Sequence, residues 1–402
     1  MSKKVYITGY GIICAIGNNR DETLKSLLAS RSGIGEITLF KSLHQGKLPM
    51  AEVKCTNAEL LQMTGNTGKS NYTRTALLGM VAAREAIESA GVSDIKSART
   101  GLISATTIGG MDRSEDFYAS YLEDNTKGRL RDVVNHDCAD ATERIADFTG
   151  ISDFVTTIST ACSSSANSMM LGAQMIKAGM LDRVLAGGTD PVTRFTLNGF
   201  NTLMILDRNG CKPFDENRAG LTIGEGAAFV FLESEDTLEK SGKKPLAELV
   251  GYGNANDAYH QTASSPEGTG ATLAMKAALS MSGLEPADIS YINVHGTGTQ
   301  NNDLSEGVAI EKIFGMNVPP FSSTKSFTGH TLGAAGAIEA VISLMSMEQN
   351  CIFPNLNWTT PMKELRIRPV ANLLHTPVNT VLSNSFGFGG NNSTIILRKV
   401  TR

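Results

Sequence analysis

The chain has 402 residues, of which 41% are hydrophobic and 19% charged, and it contains 40 glycines. This composition provides a large core and many tight turns, and it excludes wholesale disorder. The formal net charge is −4 and no long Lys/Arg block is present, which argues against nucleic acid or an anionic membrane surface as the main partner. A small or protein-borne substrate fits these values better.

The cysteines indicate the compartment. None of the six forms a CxxC pair or a Cys/His cluster, so the sequence predicts no metal site and no disulfide framework, and it favours the reducing cytoplasm. The N-terminal run "KVYITGYGIIC" is broken by glycines and is read as a buried first strand, not a signal peptide. No apolar run reaches the roughly 18 residues of a membrane span, so no membrane insertion is expected.

Apolar strand patterns alternate with helical patterns along the chain. The strand patterns are continuous runs, which is typical of sheets covered by helices on both faces, and the predicted class is therefore α/β. In chain order the segments are "KVYITGYG" (strand), "RDETLKSLLAS" (helix), "TGLISATTIGG" (strand), the helix after Cys162, "RVLAGGTD" (strand) and "GAAFVFLES" (strand).

Two parts of the chain repeat the same pattern. Residues 82–110 and 274–299 both run helix, glycine turn, Asp-Ile and strand, and residues 159–180 match residues 327–350. The sequence therefore predicts two related halves, 1–240 and 241–402. If the halves superpose, Cys162 and His330 lie at matching helix starts and face each other.

Cys162 lies among small residues in "STACSSSAN", just before a predicted helix. A lone cysteine in a core helix usually serves packing. Small neighbours, however, leave room for a second molecule, and a helix start is expected to stabilise a thiolate. The segment is therefore a candidate nucleophile site.

Two histidines and a possible ion pair occur in the second half. His295, in "INVHGTGTQNND", follows a buried strand, where it could satisfy a carbonyl or face a ligand crevice. Lys325 precedes His330 by five residues, and Glu339 follows His330 by nine. Two buried opposite charges need each other, so Lys325 and Glu339 are predicted to pair.

Of three glycine-rich stretches, one is a candidate binding site for a carbonyl oxygen and two only resemble nucleotide-binding motifs. "LSNSFGFGGNN" is predicted to aim backbone amides at a reacting carbonyl oxygen, although a plain tight turn remains an alternative. "GNTGKS" lacks the first glycine of a phosphate loop, where Met63 stands, and follows a helical pattern. "GYGIIC" has Cys14 in place of the third glycine of a dinucleotide fingerprint. Neither of these two stretches therefore predicts a nucleotide-binding site.

Four motifs together, "STACSSSAN", "INVHGTGT", "SSTKSFTGHTLGAAGAIEA" and "NSFGFGGNN", resemble the β-ketoacyl-acyl-carrier-protein synthases of the elongating type. The resemblance implies a thiolase-like duplicated fold in five α-β-α-β-α layers and usually a homodimer. It implies condensation of malonyl-acyl-carrier protein with an acyl chain taken from acyl carrier protein, in fatty acid biosynthesis. No cofactor is expected, because decarboxylation drives the reaction.

The same resemblance implies a role for each site residue. Cys162 would be the nucleophile, His295 and His330 would bind the malonyl carbonyl oxygen, and Lys325 with Glu339 would support them. The oxyanion hole would use the amides of Cys162 and Phe388, and Phe386 with Phe388 would form a gate. Thr297 and Thr299 would hold the pantetheine arm, and Ile108 and Phe200 would line the acyl tunnel. Thr262 would be a polar contact near the mouth of that tunnel.

Departures from the family pattern bear on the pathway. Asn391 stands where threonine is common, "TQNND" replaces Thr-Pro-x-Gly-Asp, and "RAGLTIGEGAAFVFLES" departs from an Asp-Gly-Phe-Val opening. A pathway-specific ketosynthase for polyene, aryl-polyene or polyketide chains is the alternative. A non-catalytic chain-length partner would lack the cysteine, and a degradative thiolase would need a second cysteine near the C-terminus.

Overall fold

A computed structural model describes residues 4–39, 41–66 and 71–400. Gly68, Lys69 and Ser70 of the rejected phosphate-loop sequence lie outside the described residues. The strands are β1 Val5–Cys14, β2 Ile34–Gly35, β3 Met50–Ala51, β4 Thr100–Ala105, β5 Phe154–Ile158, β6 Arg183–Asp190, β7 Gly226–Ser234, β8 Ala247–Asn256, β9 Tyr291–Asn293, β10 Phe321–Ser322, β11 Cys351–Ile352, β12 Leu374–His375, β13 Thr380–Phe386 and β14 Asn391–Lys399.

Helices alternate with these strands. They are α1 Arg20–Leu28, α2 Asn57–Met63, α3 Arg74–Ser89, α4 Met111–Glu123, α5 Cys138–Thr149, α6 Ser164–Lys177, α7 Arg194–Thr202, α8 Glu235–Ser241, α9 Thr269–Ser282, α10 Gln300–Phe314, α11 Lys325–Thr328 and α12 Ala335–Gln349. Every residue of β6 and β7 is buried, as expected for sheet strands covered on both faces.

Ten strands are hydrogen-bonded in the order β10-β9-β13-β14-β8-β1-β7-β6-β4-β5. Numbered within its own half, each set of five strands has the order 3-2-4-5-1. In both halves strands 2, 3 and 4 are parallel, whereas strand 5 is antiparallel to strands 4 and 1. The two sets meet where β1 pairs with β8. The duplication predicted from the sequence is therefore present in the topology.

The helices complete a five-layer arrangement, which confirms the predicted fold class. Helices α3 and α5 cover the first half, α9 and α10 cover the second, and α6 and α12 lie between the two sets of strands. Thirteen of the fifteen residues of α12 are buried, so it is a core helix. The predicted boundary at residue 240 falls at the end of α8, and the exact division into halves stays a prediction.

Close packing of the two central helices depends on one glycine. A Cβ atom at Gly336 would lie 2.9 Å from the backbone nitrogen of Ala166 and 2.8 Å from Ser385 Oγ. A larger residue at this position of α12 would push α6 away. Cys162 lies two residues before the start of α6, so a displacement of this helix would also move the turn that carries the thiol. Within the described residues, no helix has the length and apolar character needed to cross a bilayer.

Candidate active site

Cys162 lies in a tight turn between β5 and α6. Ala161 has a φ of +52°, and Ser163 is the N-cap residue of α6. Ser163 Oγ lies 2.7 Å from the Thr160 carbonyl oxygen, and Ser164 Oγ accepts from the Thr160 N–H at 2.8 Å. The small side chains of "STACSSSAN" therefore close the turn that presents the thiol.

His330 is the immediate partner of the thiol. Its Nε2 lies 3.0 Å from Cys162 Sγ, and both residues are buried. The His330 N–H donates to the Thr222 carbonyl at 2.7 Å, while its own carbonyl accepts from the Gly224 N–H at 3.0 Å. His330 lies five residues before α12 and not at its first turn, because a short 3-10 turn over Leu332–Ala334 intervenes. The predicted meeting of Cys162 and His330 is nevertheless present.

His295 is the third residue of the site, and Lys325 connects it to Glu339. The rings of His295 and His330 are 5.2 Å apart and nearly perpendicular. Lys325 Nζ lies 3.2 Å from His295 Nδ1 and donates to Glu339 Oε1 at short range. An ammonium has only donors, so His295 Nδ1 must accept and its Nε2 must carry the proton. The predicted pairing of Lys325 with Glu339 therefore also fixes the tautomer of His295.

The charge state of Cys162 differs from the stabilised thiolate predicted from the sequence. Burial raises the pKa of the Cys162 thiol to about 11, although Lys325 and the Phe388 backbone N–H lower it. Desolvation outweighs both of these contributions, so the thiol is favoured over the stabilised thiolate that the sequence predicted. Burial and the charge of Lys325 hold the pKa values of His295 and His330 well below their ordinary range. At neutral pH the site holds a thiol and two uncharged imidazoles.

A cavity of about 450 Å³ opens onto these groups. It combines apolar walls with a few hydroxyl and amide groups, as binding pockets commonly do. The predicted site residues on its lining are Cys162, His295, His330, Phe386, Phe388, Thr297, Thr299 and Thr262. Thr297 Oγ1 and Thr299 Oγ1 lie 2.9 Å apart, and Lys325 and Glu339 stand behind the lining.

Two predicted tunnel residues do not line this cavity. The ring of Phe200, in α7, stacks on Phe388 with centroids 5.8 Å apart, so Phe200 lies behind the lining residue. Ile108 is buried in the turn after β4, where its N–H donates to Asp190. The cavity therefore comprises its opening and the groups around Cys162, and it does not reach Phe200 or Ile108.

Asp190 is a residue that the sequence argument missed. Its carboxylate accepts from the Ile108 N–H at 3.1 Å, from the Thr107 N–H at 3.0 Å and from the Gly333 N–H at 2.7 Å. Burial raises its pKa to about 6, which its hydrogen bonds oppose. Asp190 thus links the Ile108 turn to the segment after His330. Its place at the end of the "GGTD" strand was the available signal.

Asn391 is a second missed residue. Its Oδ1 accepts from Ser163 Oγ at 2.7 Å, Asn254 Nδ2 at 2.8 Å and Asn167 Nδ2 at 3.0 Å. The glycine-rich turn ends at Asn391 and the nucleophile turn includes Ser163. One amide oxygen therefore joins the two segments that carry the candidate oxyanion-hole amides. The sequence had identified Asn391 only as a departure from a family pattern.

Glu306 holds the turn that carries His295. Its carboxylate accepts from the backbone N–H groups of His295 at 2.9 Å and Gly296 at 2.8 Å, and from Asn384 Nδ2 at 3.0 Å. Burial raises the pKa of Glu306 to about 7.

Within the described residues, no group of three or more His, Cys, Asp or Glu side chains is arranged to bind a metal ion.

Comparison with known proteins identifies the family. Residues 2–237 match the β-ketoacyl synthase N-terminal domain, and residues 246–359 match the β-ketoacyl synthase C-terminal domain. The chain is 34% identical over 410 residues to 3-oxoacyl-[acyl-carrier-protein] synthase 2 of Staphylococcus aureus (strain N315), and the match covers 99% of each chain.

Solved structures agree with this match. The ishigamide ketosynthase/chain length factor superposes with a TM-score of 0.95 at 30% identity, covering 100% of both chains. A type II polyketide ketosynthase, solved with its acyl-carrier protein and bound to the hexaketide, has a TM-score of 0.88 at 26% identity and the same coverage. The chain belongs to the β-ketoacyl synthase family of thiolase-fold condensing enzymes.

Proposed function

We propose that this enzyme condenses malonyl-acyl-carrier protein with an acyl group held on Cys162 and releases 3-oxoacyl-acyl-carrier protein, in fatty acid biosynthesis. The observation that carries the proposal is the 3.0 Å contact between Cys162 Sγ and His330 Nε2 inside a cavity that His295 also lines. The name of the Staphylococcus aureus relative supports the same reaction.

The first step transfers the acyl group to the enzyme. Cys162 Sγ attacks the carbonyl carbon of the carrier thioester while His330 Nε2 accepts the thiol proton. The new sulfur–carbon bond replaces the one to pantetheine, whose sulfur leaves with that proton. The backbone N–H groups of Cys162 and Phe388 are the proposed donors to the developing oxyanion.

The second step forms the carbon–carbon bond. The bond from the malonyl carbon to its carboxylate breaks, carbon dioxide leaves, and the electron pair becomes an enolate. His295 Nε2–H, whose proton Lys325 keeps in place, donates to the enolate oxygen. His330 is the second donor in its Nε2–H tautomer, which is open to it because its Nδ1 has no hydrogen-bond partner among the described residues. The enolate carbon attacks the acyl carbonyl, and the Cys162 thiolate leaves and takes a proton from solvent, which replaces the one that left with the pantetheine thiol. The substrate supplies the electron pair, so the proposed reaction uses no cofactor.

Other cavity residues take positioning roles in this proposal. Thr297 and Thr299 hold the pantetheine arm, and Thr262 is a polar contact near the mouth of the acyl tunnel. Phe386 and Phe388 gate the passage from the thiol to an acyl tunnel bounded by Phe200 and Ile108. The stacking of Phe388 on Phe200 supports a gate, because a shift of either ring requires the other to move.

We also propose a homodimer in the cytoplasm. Strand β5 is the outermost strand of its half, pairs only with β4 and is partly exposed, and free edges of this kind favour pairing. Large apolar side chains are exposed on and after α4, namely Tyr118, Leu122, Leu130 and Val134. Light scattering of the purified chain should give twice the molar mass of one chain, whereas a monomer would contradict this proposal.

All six cysteines are unpaired, which supports a reducing compartment.

The decisive experiment identifies the acylated residue. The enzyme is incubated with acyl-acyl-carrier protein and analysed by intact-protein and peptide mass spectrometry. We expect one acyl adduct, on Cys162, and none in Cys162→Ser. An adduct on another cysteine, or one that persists in Cys162→Ser, would overturn the assignment. Acyl-carrier substrates of graded length and unsaturation then separate fatty acid synthesis from a polyene or polyketide pathway.

A further inference from the structure

One wall of the cavity is formed by a segment without regular secondary structure. It comprises residues 258–264, which we call the wall loop, and it lies between β8 and α9. Thr262, Ala263 and Ser264 of this loop line the cavity, whereas Tyr259 is 58% exposed. Surface segments of this kind move more easily than the helices and strands that they join. The place of the wall loop at the cavity therefore depends on specific anchors.

The wall loop is closed at its base and anchored at two places above it. At the base, Asp257 Oδ2 accepts from the Ser265 N–H at 2.9 Å. Within the described residues, hydrogen bonds join the wall loop itself to other segments at Gln261 and Ser264 only. The Gln261 carbonyl accepts from the Gly389 N–H at 2.8 Å. The anchor at Ser264 is the one that lies in the cavity lining.

Asn301 holds the wall loop at Ser264 with both polar atoms of its amide. Its Oδ1 accepts from the Ser264 N–H at 2.8 Å, and its Nδ2 donates to the Ser264 carbonyl at 3.0 Å. Because one planar amide makes both bonds, the pair fixes the orientation of the loop as well as its distance. Asn301 belongs to the "TQNND" segment, whose departure from the family pattern the proposed reaction does not use.

The segment that carries Asn301 also carries Thr297 and Thr299, and it is fixed from behind. Arg218, which is 6% exposed, donates to the Gln300 carbonyl at 2.8 Å and to the Thr299 carbonyl at 3.3 Å. The side chains of Thr297 and Thr299 are 2.9 Å apart at their hydroxyl oxygens, and both residues line the cavity together with Asn301. One short segment therefore sets the place of the wall loop relative to the two threonines.

We propose that Asn301 is a positioning residue that holds the wall loop at a fixed distance from Thr297 and Thr299, so that the pantetheine arm of the donor meets a passage already formed. This inference rests on the proposed function, in which the two threonines hold that arm. Without the amide of Asn301 the wall loop keeps its closed base and its contact at Gln261, and it leaves the lining for part of the time. Donors then bind only to the fraction of molecules in which the passage is formed, and their apparent affinity falls by that fraction.

The test measures acylation of Cys162 by an acyl-pantetheine thioester in Asn301→Ala and Asn301→Asp. Aspartate has the shape of asparagine but, when ionised, cannot donate to the Ser264 carbonyl, and this donor carries no charge that aspartate could repel. Both variants should raise the KM for the donor by about tenfold, because the pair with Ser264 is broken. The maximal rate of acylation should stay at the wild-type value, since the contact between Cys162 and His330 is untouched. Asn317→Ala, at an exposed asparagine after the end of α10, is the matched control and should retain the wild-type KM.

Hydrogen exchange gives a second readout that does not depend on activity. Peptides that contain the wall loop should exchange faster in Asn301→Ala than in the wild type, while exchange in the rest of the chain should be unchanged. An unchanged KM, a rise in KM in the aspartate variant alone, a fall in maximal rate at constant KM, or unchanged exchange of the wall loop would each overturn this inference alone, provided that the wild type is acylated. If neither acyl-pantetheine nor acyl-acyl-carrier protein acylates the wild type, the proposed function itself fails, and the passage has no donor to admit.

Discussion

The two halves of the molecule share one topology but contribute different chemistry. Both have the strand order 3-2-4-5-1, and each places a buried helix, α6 or α12, between the two sets of strands. The turn before α6 carries Cys162, whereas the segment before α12 carries His330. Duplication therefore supplies two facing segments, and in the proposed reaction one carries the nucleophile and the other its partner.

The largest expected effect comes from removing the imidazoles of the second half. His295→Ala and His330→Ala should each lower malonyl decarboxylation by about 10²–10³-fold, the loss typical of one oxyanion donor. Both should still acylate Cys162 to some extent, because the nucleophile belongs to the first half. Release of labelled carbon dioxide measures the effect, and His375→Ala, at an exposed histidine, is the control. Normal release by both variants would contradict the proposed division of roles.

The Lys325–Glu339 pair gives the next largest effect, and it belongs entirely to the second half. Lys325→Met should reduce turnover by about 10²-fold, since His295 loses the partner that fixes its tautomer. It should also lower the free energy of unfolding by about 3–5 kcal/mol, because Glu339 is left buried and unpaired. Chemical denaturation measures this loss.

The double variant Lys325→Met/Glu339→Gln separates these two effects. It removes both charges, so we expect unfolding free energy to recover toward the wild-type value while turnover stays low. Recovery of turnover in the double variant would mean that Lys325 acts only by neutralising Glu339. The proposed role toward His295 would then be wrong.

Much of this comparison was predictable from the sequence. Continuous apolar strands indicated the α/β class, and the repeat of residues 82–110 at 274–299 indicated the duplication. Opposite charges at Lys325 and Glu339 within one buried segment had to meet, because neither is tolerated alone in a core. The family resemblance supplied the remaining site roles, which stay predictions.

Other features could not be read from the sequence. The raised pKa of Cys162 reflects burial from all sides, whereas the sequence showed only the helix start that follows it. The Asn391 contacts join Asn167 and Asn254, which are distant in the chain and follow no periodicity. Ile108 was predicted from a short motif, and its position depends on Asp190, more than eighty residues further on.

A pH series tests the electrostatic link between the halves. Because the pKa of Cys162 is raised to about 11, alkylation of this thiol by iodoacetamide should accelerate steadily from pH 7 to 10, as the thiolate fraction grows. Lys325 lowers this pKa, so Lys325→Met should slow alkylation by severalfold at each pH in this range. Peptide mapping measures the alkylation of Cys162 separately from that of the other five cysteines. A plateau below pH 9 would show that the thiol is more acidic than its burial implies.

The smallest expected effect on the free energy of unfolding lies at Asn391, where a single amide oxygen joins the halves. Asn391→Ala removes the acceptor shared by Ser163, Asn167 and Asn254, and it should lower the free energy of unfolding by about 1–2 kcal/mol, since the site is partly exposed and water replaces some of the lost bonds. Acylation of Cys162 should slow by about tenfold, because the turn bearing its amide is released from the turn bearing that of Phe388.

Asn391→Asp is the matched control for this prediction. It keeps the acceptor, so unfolding free energy should stay near the wild-type value. Its negative charge close to Cys162 should raise the pKa of the thiol and slow alkylation below pH 9. Denaturation and alkylation therefore separate the mechanical contribution of Asn391 from an electrostatic one. Equal stability of the alanine and wild-type proteins would mean that contacts other than this amide hold the two halves in register around the thiol.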